Sequence, residues 1–416
     1  MSVRPNMDLK SRLRSIYGSG VESSDLHERL ERLHRHDVLT IAEHLDGYWK
    51  ETPSGRLVRV EKTYPCFYGH GDHSFEQLCA LTGPTVALLS GNPALCEFDL
   101  RSTLFLDTET TGLAGGAGTY PFLIGAGYFE TDCFRLVQFF LPDFESEHAF
   151  LSDFSELVTG VETGGFRYLV TYNGKTFDLS LLENRFVLQR LENPCQGLLH
   201  LDLLHPCRLL WKGRFEDCCL QTLERRVLNY NRSPDIPSAL IPVSYFNYLH
   251  WGEFGVLKEV LEHNRKDVIS MAILLGIAAE SVDITDVAPA VDSLSLARFH
   301  FRRGRLSHAA GFLERSLEDE RCAKNRVEAV FNLARLRRRL GEDDAALDLC
   351  YGLMRDDPEP PLEAFEEAAK ILEHRKRAFQ EALDVVSQAL LLYPGSAQLE
   401  RRRLRLVCRM DGKKWY

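Results

Sequence analysis

The feature that most constrains the fold is an alternation of short apolar segments with helical segments between residues 104 and 278. Strands are predicted at 104–106, 122–129, 134–140, 168–172 and 198–203, and helices at 147–158, at 178–190, from about 219, and at 254–278. Three strands in succession favour an antiparallel meander, and the later alternation favours helices on the faces of a sheet. We therefore predict an α/β domain over residues 99–282, with a mixed five-stranded sheet and flanking helices.

A different pattern occupies residues 290–416, where small residues recur at a fixed interval. Ala310, Ala346 and Ala382 are 36 residues apart (346−310 and 382−346), and Pro358 and Pro394 have the same spacing. Small residues where two helices cross, followed by a proline that closes the pair, are typical of helix-turn-helix repeats. We predict an all-α helical-repeat domain, and a plain helical bundle with accidental alanine spacing is the alternative.

The N-terminal segment, residues 1–98, carries weaker signals. Helices are predicted over 9–16 and 25–33 and a strand over 56–60, so we expect a mixed accessory segment to which no chemistry is assigned. Its zinc-ligand residue types do not match the spacing of a common zinc finger; they are Cys66, His70, His73 and Cys79.

Four carboxylates stand at chemically suggestive places in the α/β segment. Asp107 and Glu109 follow the first strand two residues apart, which puts them on one face. Asp178 stands between a strand and a helix, and Asp267 stands one helical turn after His263. Each acid alone could be a solvated or capping residue. Together, the four contexts favour one shared site.

Carboxylates that converge in this way require a cation. Two carboxylates about 5 Å apart repel by roughly 3 kcal/mol at an effective dielectric near 20. Either their pKa values rise until some are neutral, or divalent ions bind. Oxygen-rich sites suit Mg²⁺ or Mn²⁺ rather than zinc, and two such ions can promote phosphodiester hydrolysis.

The three acid-bearing segments resemble the motifs of a known superfamily. Residues 105–113 (FLDTETTGL) resemble the first motif of the DEDD-type, ribonuclease-H-like exonucleases, residues 173–178 (NGKTFD) the second, and residues 263–267 (HNRKD) the third. The resemblance is greatest to bacterial YprB-type proteins, which join a ribonuclease-H-like domain to tetratricopeptide-like repeats. It covers about residues 100–280 and 290–416.

The resemblance implies a metal-dependent nuclease acting on DNA or RNA, with 3′→5′ exonuclease polarity. It implies two Mg²⁺ or Mn²⁺ ions held by Asp107, Glu109, Asp178 and Asp267, with His263 positioning or deprotonating the attacking water. One feature departs from the superfamily, whose third motif has tyrosine four residues before the aspartate or histidine five before it. Here histidine stands four before (267−263). A surface histidine that only hydrogen bonds to Asp267 is therefore the alternative.

Substrate contacts are predicted from residues near these motifs. Thr110, Asn173 and Lys175 flank the acids and could meet phosphate or sugar oxygens. Arg208 and Lys212 lie in a stretch that mixes cations with aromatics, as strand-binding surfaces do, although an ordinary amphipathic surface is an equal alternative.

Two further features have a functional and a structural interpretation. The glycines at 115, 116 and 118 could admit a phosphate or only shape a hairpin. The arginines at 401–403, 405 and 409 could face nucleic acid or belong to a solvated helix.

Composition sets broad limits. The formal net charge of −10 does not favour a protein that coats nucleic acid, although it does not exclude an enzyme acting on it. No apolar run approaches the roughly 18 residues of a membrane span, the N-terminus does not resemble a signal peptide, and eleven cysteines without a repeated spacing suggest reduced thiols. We expect a cytoplasmic protein without membrane association, with a nucleic acid substrate and a possible protein partner at the repeats. A structure-specific endonuclease and a non-catalytic scaffold are the rival functions.

Overall fold

The computed structural model describes residues 41–112, 118–160, 164–283, 291–318 and 326–411. The helices expected at 9–16 and 25–33 and the glycines at 115 and 116 lie outside these ranges. The strands are β1 (Tyr48–Thr52), β2 (Gly55–Pro65), β3 (Gly69–His70), β4 (His73–Ser74), β5 (Thr103–Thr110), β6 (Pro121–Phe129), β7 (Cys133–Phe140), β8 (Tyr168–Thr171) and β9 (Leu199–Asp202). The α-helices before residue 284 are α1 (Gly83–Ser90), α2 (Glu147–Thr159), α3 (Asp178–Leu188), α4 (Leu204–Trp211), α5 (Leu220–Leu223), α6 (Ile241–Trp251) and α7 (Leu257–Asp283).

Seven strands form one mixed sheet in the order β1-β2-β7-β6-β5-β8-β9. In this order, each strand from β1 through β2, β7 and β6 to β5 pairs with the next in antiparallel fashion. The pairs β5–β8 and β8–β9 are parallel. The predicted mixed sheet with flanking helices is confirmed, but its predicted size of five strands is wrong. The two extra strands are β1 and β2, which fall within the predicted accessory segment. The pairing of β2 with β7, which puts Val58 opposite Phe140, joins residues about 80 positions apart, and local sequence patterns carry no signal for such a contact.

The described chain divides into two compact units. The first comprises residues 41–84, 94–204 and 219–277, and the second comprises residues 85–93, 205–218 and the described residues from 278 onward. In the first unit the core lies on the sheet, where every residue of β6 is buried. None of the helices within the described ranges is both long enough and apolar enough to cross a membrane.

The second unit continues as seven helices within the described residues: α8 (Ser293–Arg302), α9 (Leu306–Glu318), α10 (Arg326–Leu340), α11 (Asp343–Asp356), α12 (Leu362–Ile371), α13 (Phe379–Leu392) and α14 (Ala397–Met410). Each packs against the next along the chain. Ala310, Ala346 and Ala382 are buried near the starts of α9, α11 and α13. The predicted all-helical C-terminal region is confirmed, and this equivalence is compatible with repeats.

The basic C-terminal run has a structural role. Arg402, Arg405 and Arg409 converge on the carboxylate of Glu373, at 2.9, 2.8 and 3.2 Å. The Glu373 side chain is fully buried. We expected this run either to face nucleic acid or to belong to a solvated helix. Neither interpretation describes these three residues, because they form ion pairs with the buried Glu373.

Candidate metal centre

An open cleft of about 630 Å³ in the first unit contains the residues predicted to be catalytic. Its lining includes all five: Asp107, Glu109, Asp178, His263 and Asp267. The acids come from three elements: Asp107 and Glu109 from the end of β5, Asp178 from the start of α3, and Asp267 from the long helix α7. The three sequence motifs that carry the acids therefore contribute to one cleft.

The parallel pairing of β5 with β8 brings Asp178 to Asp107. The backbone N–H of Thr108 donates to Asp178 Oδ1 at 3.1 Å, and the Thr108 hydroxyl donates to the same oxygen. The loop before Asp178 is fixed by Asp202, whose carboxylate accepts from the backbone N–H groups of Asn173 at 2.8 Å and Lys175 at 3.1 Å. Asp202 therefore positions the second motif without lining the cleft.

Asn264 of α7 holds the first carboxylate. Its Nδ2 donates to Asp107 Oδ2 at 2.8 Å, and its own Oδ1 accepts from Gln138 Nε2 at 2.8 Å. The helix approaches this closely because Gly125 of β6, the pairing partner of Asp107, has no side chain. A Cβ at position 125 would lie 2.2 Å from Asn264 Oδ1.

His263 is buried between two carboxylates. Its Nδ1 lies 2.9 Å from Asp235 Oδ1, and its Nε2 lies 3.4 Å from Asp267 Oδ2. The Asp235 carboxylate accepts a hydrogen bond, the Arg232 guanidinium also lies 3.4 Å from Nδ1, and Nε2 is the nitrogen on the side of Asp267. The histidine is 5% exposed, which does not fit the alternative of a surface histidine.

A buried arginine completes the centre. The Arg232 guanidinium donates two hydrogen bonds to Glu224, both at 2.6 Å, and a third to Asp267. Its Nη1 lies 3.6 Å from Asp235. Ser270 also donates to Glu224. The protein thus places a cation of its own on one of the four candidate metal ligands.

The acids of the cleft carry more negative charge than this arginine neutralises. Burial and the charge of Asp267 raise the pKa of Asp107 well above its usual range, and the same two causes raise the pKa of Glu109. Burial also raises the pKa of Asp178, although hydrogen bonds from Thr108 partly oppose it. Carboxylates in such a state gain from a bound cation.

The donor set fits a divalent ion. Glu109, His263 and Asp267 each offer a ligand atom, and these three atoms lie within 4.8 Å of one another. Asp107 and Asp178 line the same cleft. Carboxylate oxygens and an imidazole nitrogen are the ligand types of divalent metal ions.

The predicted substrate contacts separate into two groups. Thr110 and Asn173 line the cleft, whereas Lys175 is exposed outside its lining. Arg208 and Lys212 are exposed on or beside α4 in the second unit and do not line the cleft.

Two of the zinc-ligand residue types of the N-terminal segment have hydrogen-bond partners: His70 hydrogen bonds to Ser270 at 2.7 Å and His73 to a backbone carbonyl at 3.2 Å.

Four residues of the centre were not predicted: Asp202, Arg232, Asp235 and Asn264. Asn264 stands inside the third motif, and its proximity to Asp107 could have been inferred from the glycine opposite Asp107 on the next strand. Arg232 and Asp235 lie in an irregular segment between α5 and α6, where no periodicity indicates which way a side chain points.

Replacing Gly125 by alanine is expected to separate Asn264 from Asp107. Overpacking at a buried site costs about 1–3 kcal/mol of unfolding free energy, and loss of an outer-shell hydrogen bond lowers metal affinity by about 10- to 100-fold. Chemical denaturation and Mn²⁺ titration measure the two effects. Gly255→Ala is the control, because a Cβ there meets no atom within 4 Å. Wild-type metal affinity in Gly125→Ala would show that this contact is unimportant.

The raised pKa values predict a pH dependence of stability in EDTA. A carboxyl group whose folded pKa is raised stabilises the fold below its unfolded pKa, about 4, and this contribution is lost as pH rises through the folded pKa. The metal-free protein is therefore expected to be more stable at pH 5 than at pH 8, with a smaller difference in Asp107→Asn. Urea unfolding at both pH values checks this, and equal differences in the two proteins contradict it.

The chain resembles known proteins over most of its length. Residues 104–278 match the RNase_H superfamily. The chain is also 32% identical over 339 residues to the uncharacterized protein YprB of Bacillus subtilis (strain 168), which covers 80% of each chain. The segment that matches the superfamily, residues 104–278, begins at the second residue of β5 and ends within α7, so it contains all four candidate metal-binding acids.

Proposed function

Because the chain belongs to the YprB family and carries an RNase_H superfamily domain, we propose that it is a metal-dependent nuclease that hydrolyses phosphodiester bonds of DNA or RNA. Membership in this superfamily supports a nuclease-type function. The observation that carries the proposal is the meeting of four carboxylates and a buried histidine in one open cleft. The finer proposal is a 3′→5′ exonuclease that uses two Mg²⁺ or Mn²⁺ ions.

The roles of the residues follow from their positions. Asp107, Glu109, Asp178 and Asp267 would hold the ions, which when bound would supply water activation and charge neutralisation at the phosphate. His263 would position the attacking water or accept its proton through Nε2, the nitrogen on the side of Asp267. Asn264 and Thr108 keep Asp107 and Asp178 oriented.

The rim of the cleft offers features suited to a nucleic acid strand. Phe177 lines the cleft with 53% of its surface exposed, which leaves a ring face for stacking a base. Thr110 and Asn173 lie beside the acids and can contact phosphate or sugar oxygens. We propose these three residues as the substrate contacts of the cleft.

Products from linear and circular substrates test the proposal. The full chain is incubated with Mg²⁺ or Mn²⁺ and 5′-labelled single-stranded DNA or RNA, with matched 3′-blocked strands and circles. A 3′→5′ exonuclease shortens free strands stepwise and spares both circles and blocked ends. Cleavage of circles would establish the endonuclease instead. Absence of metal-dependent cleavage on every substrate would leave the scaffold function, which we propose against because the acid set is intact.

We further propose that α8 to α14 form tetratricopeptide-like repeats that hold a partner or position the substrate. Deleting residues from about 285 onward would leave the acids of the first unit in place.

A further inference from the structure

A second pocket, of about 220 Å³, lies between α8, α9 and α10 in the helical unit. Its apolar floor is formed by four buried side chains: Ala297, Ala309, Leu313 and Leu336. A flat group about the size of one nucleobase or one side chain can occupy it. We call it the arginine pocket, because four arginines stand on its rim: Arg298, Arg302, Arg335 and Arg339.

These arginines are arranged in two pairs one helical turn apart, on α8 (302−298) and α10 (339−335). Arg298 pairs with Glu328 at 2.5 Å. No ion pair is formed by Arg302, Arg335 or Arg339 with any residue in the ranges the structure describes. They differ in this from Arg402, Arg405 and Arg409, each of which pairs with Glu373. On a chain with net charge −10, the arginine pocket is a local cationic surface.

The pocket also presents an aromatic platform. Phe301 lines it with 40% of its surface exposed, and the Arg339 guanidinium lies 4.8 Å from the centre of the Phe301 ring. An exposed ring beside a planar guanidinium is a surface on which a nucleobase stacks, and unpaired guanidinium groups bind phosphate through two parallel hydrogen bonds. An acidic peptide would satisfy the charges but has no need of the flat platform.

We propose that the arginine pocket binds a segment of single-stranded nucleic acid, with one base against Phe301 and Arg339 and the adjacent phosphates on Arg302 and Arg335. This inference rests on the proposed function, since it gives the nuclease a second hold on its substrate. It explains how an acidic protein retains a polyanion without a basic cleft: three cations concentrated around one platform supply the attraction.

Binding measured without cleavage tests the proposal. The full chain is titrated in EDTA with fluorescent single-stranded 12-mers of DNA and RNA, and anisotropy gives the affinity. Arg302→Glu with Arg335→Glu, which removes both proposed phosphate contacts, is expected to weaken binding tenfold or more. The slope of log affinity against log salt should become shallower by about 1.4, at about 0.7 for each lost phosphate contact on a single strand. Phe301→Ala should weaken binding about fivefold through lost stacking.

Arg401→Glu with Arg403→Glu is the matched control, because it makes the same charge change on exposed arginines of α14. It should alter affinity less than twofold. Equal losses of affinity in the two double variants would contradict the proposed binding role of the arginine pocket. Unchanged affinity in the pocket variant would contradict it as well. Loss of poly-glutamate binding but not of oligonucleotide binding in that variant would establish an acidic protein partner instead.

The proposed nuclease function and the proposed binding role of the arginine pocket can fail separately. If strand binding depends on the arginine pocket but no metal-dependent cleavage occurs, the binding role stands and the nuclease function is wrong. If cleavage occurs but strand binding does not depend on the pocket, the nuclease function stands and the binding role is wrong. Circular dichroism of each variant confirms that its helices are intact, so a loss of affinity reports the surface rather than the fold.

Discussion

Replacing Asp107 by asparagine is expected to reduce metal-dependent cleavage by about a thousand-fold or more. Metal catalysis supplies several kcal/mol of transition-state stabilisation, and each 1.36 kcal/mol corresponds to a factor of ten in rate. The fold should remain intact, because the substitution removes one charge from a cluster in which burial and neighbouring acids already disfavour ionisation. Single-turnover cleavage and thermal unfolding in EDTA measure the two effects.

The control for this experiment is Asp132→Asn. Asp132 is exposed in the hairpin between β6 and β7, so the same chemical change there should leave both activity and stability unchanged. Retained activity in Asp107→Asn would remove that residue from the metal centre. Collapse of the fold would mean that Asp107 has a structural role that outweighs its charge repulsion.

Replacing Arg232 by methionine should destabilise the protein by about 3–5 kcal/mol. The side chains of Arg232 and Glu224 are 5% and 1% exposed, and removing one partner of so buried a pair leaves the other charge uncompensated. Burial already raises the pKa of Glu224. Loss of the hydrogen bond to Asp267 adds to the effect. Denaturant unfolding in EDTA gives the free energy.

A second variant separates charge from packing. Arg232→Met combined with Glu224→Leu removes both ions and should recover most of the lost stability, since apolar replacement of a whole buried pair is often neutral. Mg²⁺ should also stabilise Arg232→Met more than wild type, because Asp267 then has no other cation. If the double variant is as unstable as the single one, the arginine acts through its shape and hydrogen bonds rather than through its charge.

Local sequence patterns predicted the elements that position the candidate site. The strand expected at 168–172 occurs at Tyr168–Thr171, and the helix expected at 147–158 occurs at Glu147–Thr159. Alternation and helical periodicity are local properties, so they could be read from short windows. The four predicted acids also line one cleft, although they come from the end of β5, the start of α3 and the middle of α7, and their motif contexts rather than their periodicity indicated that they converge.

Two features of the structure that the sequence did not predict depend on contacts between segments that are distant in the chain. β1 and β2 join the sheet through pairing with β7, and Arg232 reaches Asp267 from an irregular segment. Neither contact has a local pattern. The prediction of Arg208 and Lys212 as substrate contacts relied on composition alone, and composition does not say into which compact unit a segment folds.

The C-terminal helices also have a backbone feature that the sequence pattern does not predict. Gly304 and Gly341 have left-handed backbones, with φ of 74° and 85°, just after α8 and α10 end, and Arg377 adopts the same conformation, with φ of 55°, just before α13. A non-glycine residue can take this conformation at a modest cost, so the backbone turn recurs where the sequence has no glycine.

Removal and return of the metal test the catalytic role of the cleft most directly: the full-length protein is stripped of metal with EDTA, Mn²⁺ is restored stepwise, and cleavage of an end-labelled single strand is followed. We expect no cleavage in EDTA, recovery as the ions return, and no recovery at any Mn²⁺ concentration in Asp107→Asn. Cleavage that persists in EDTA, or that returns equally in Asp107→Asn, would contradict the assignment of this carboxylate cleft as the catalytic centre.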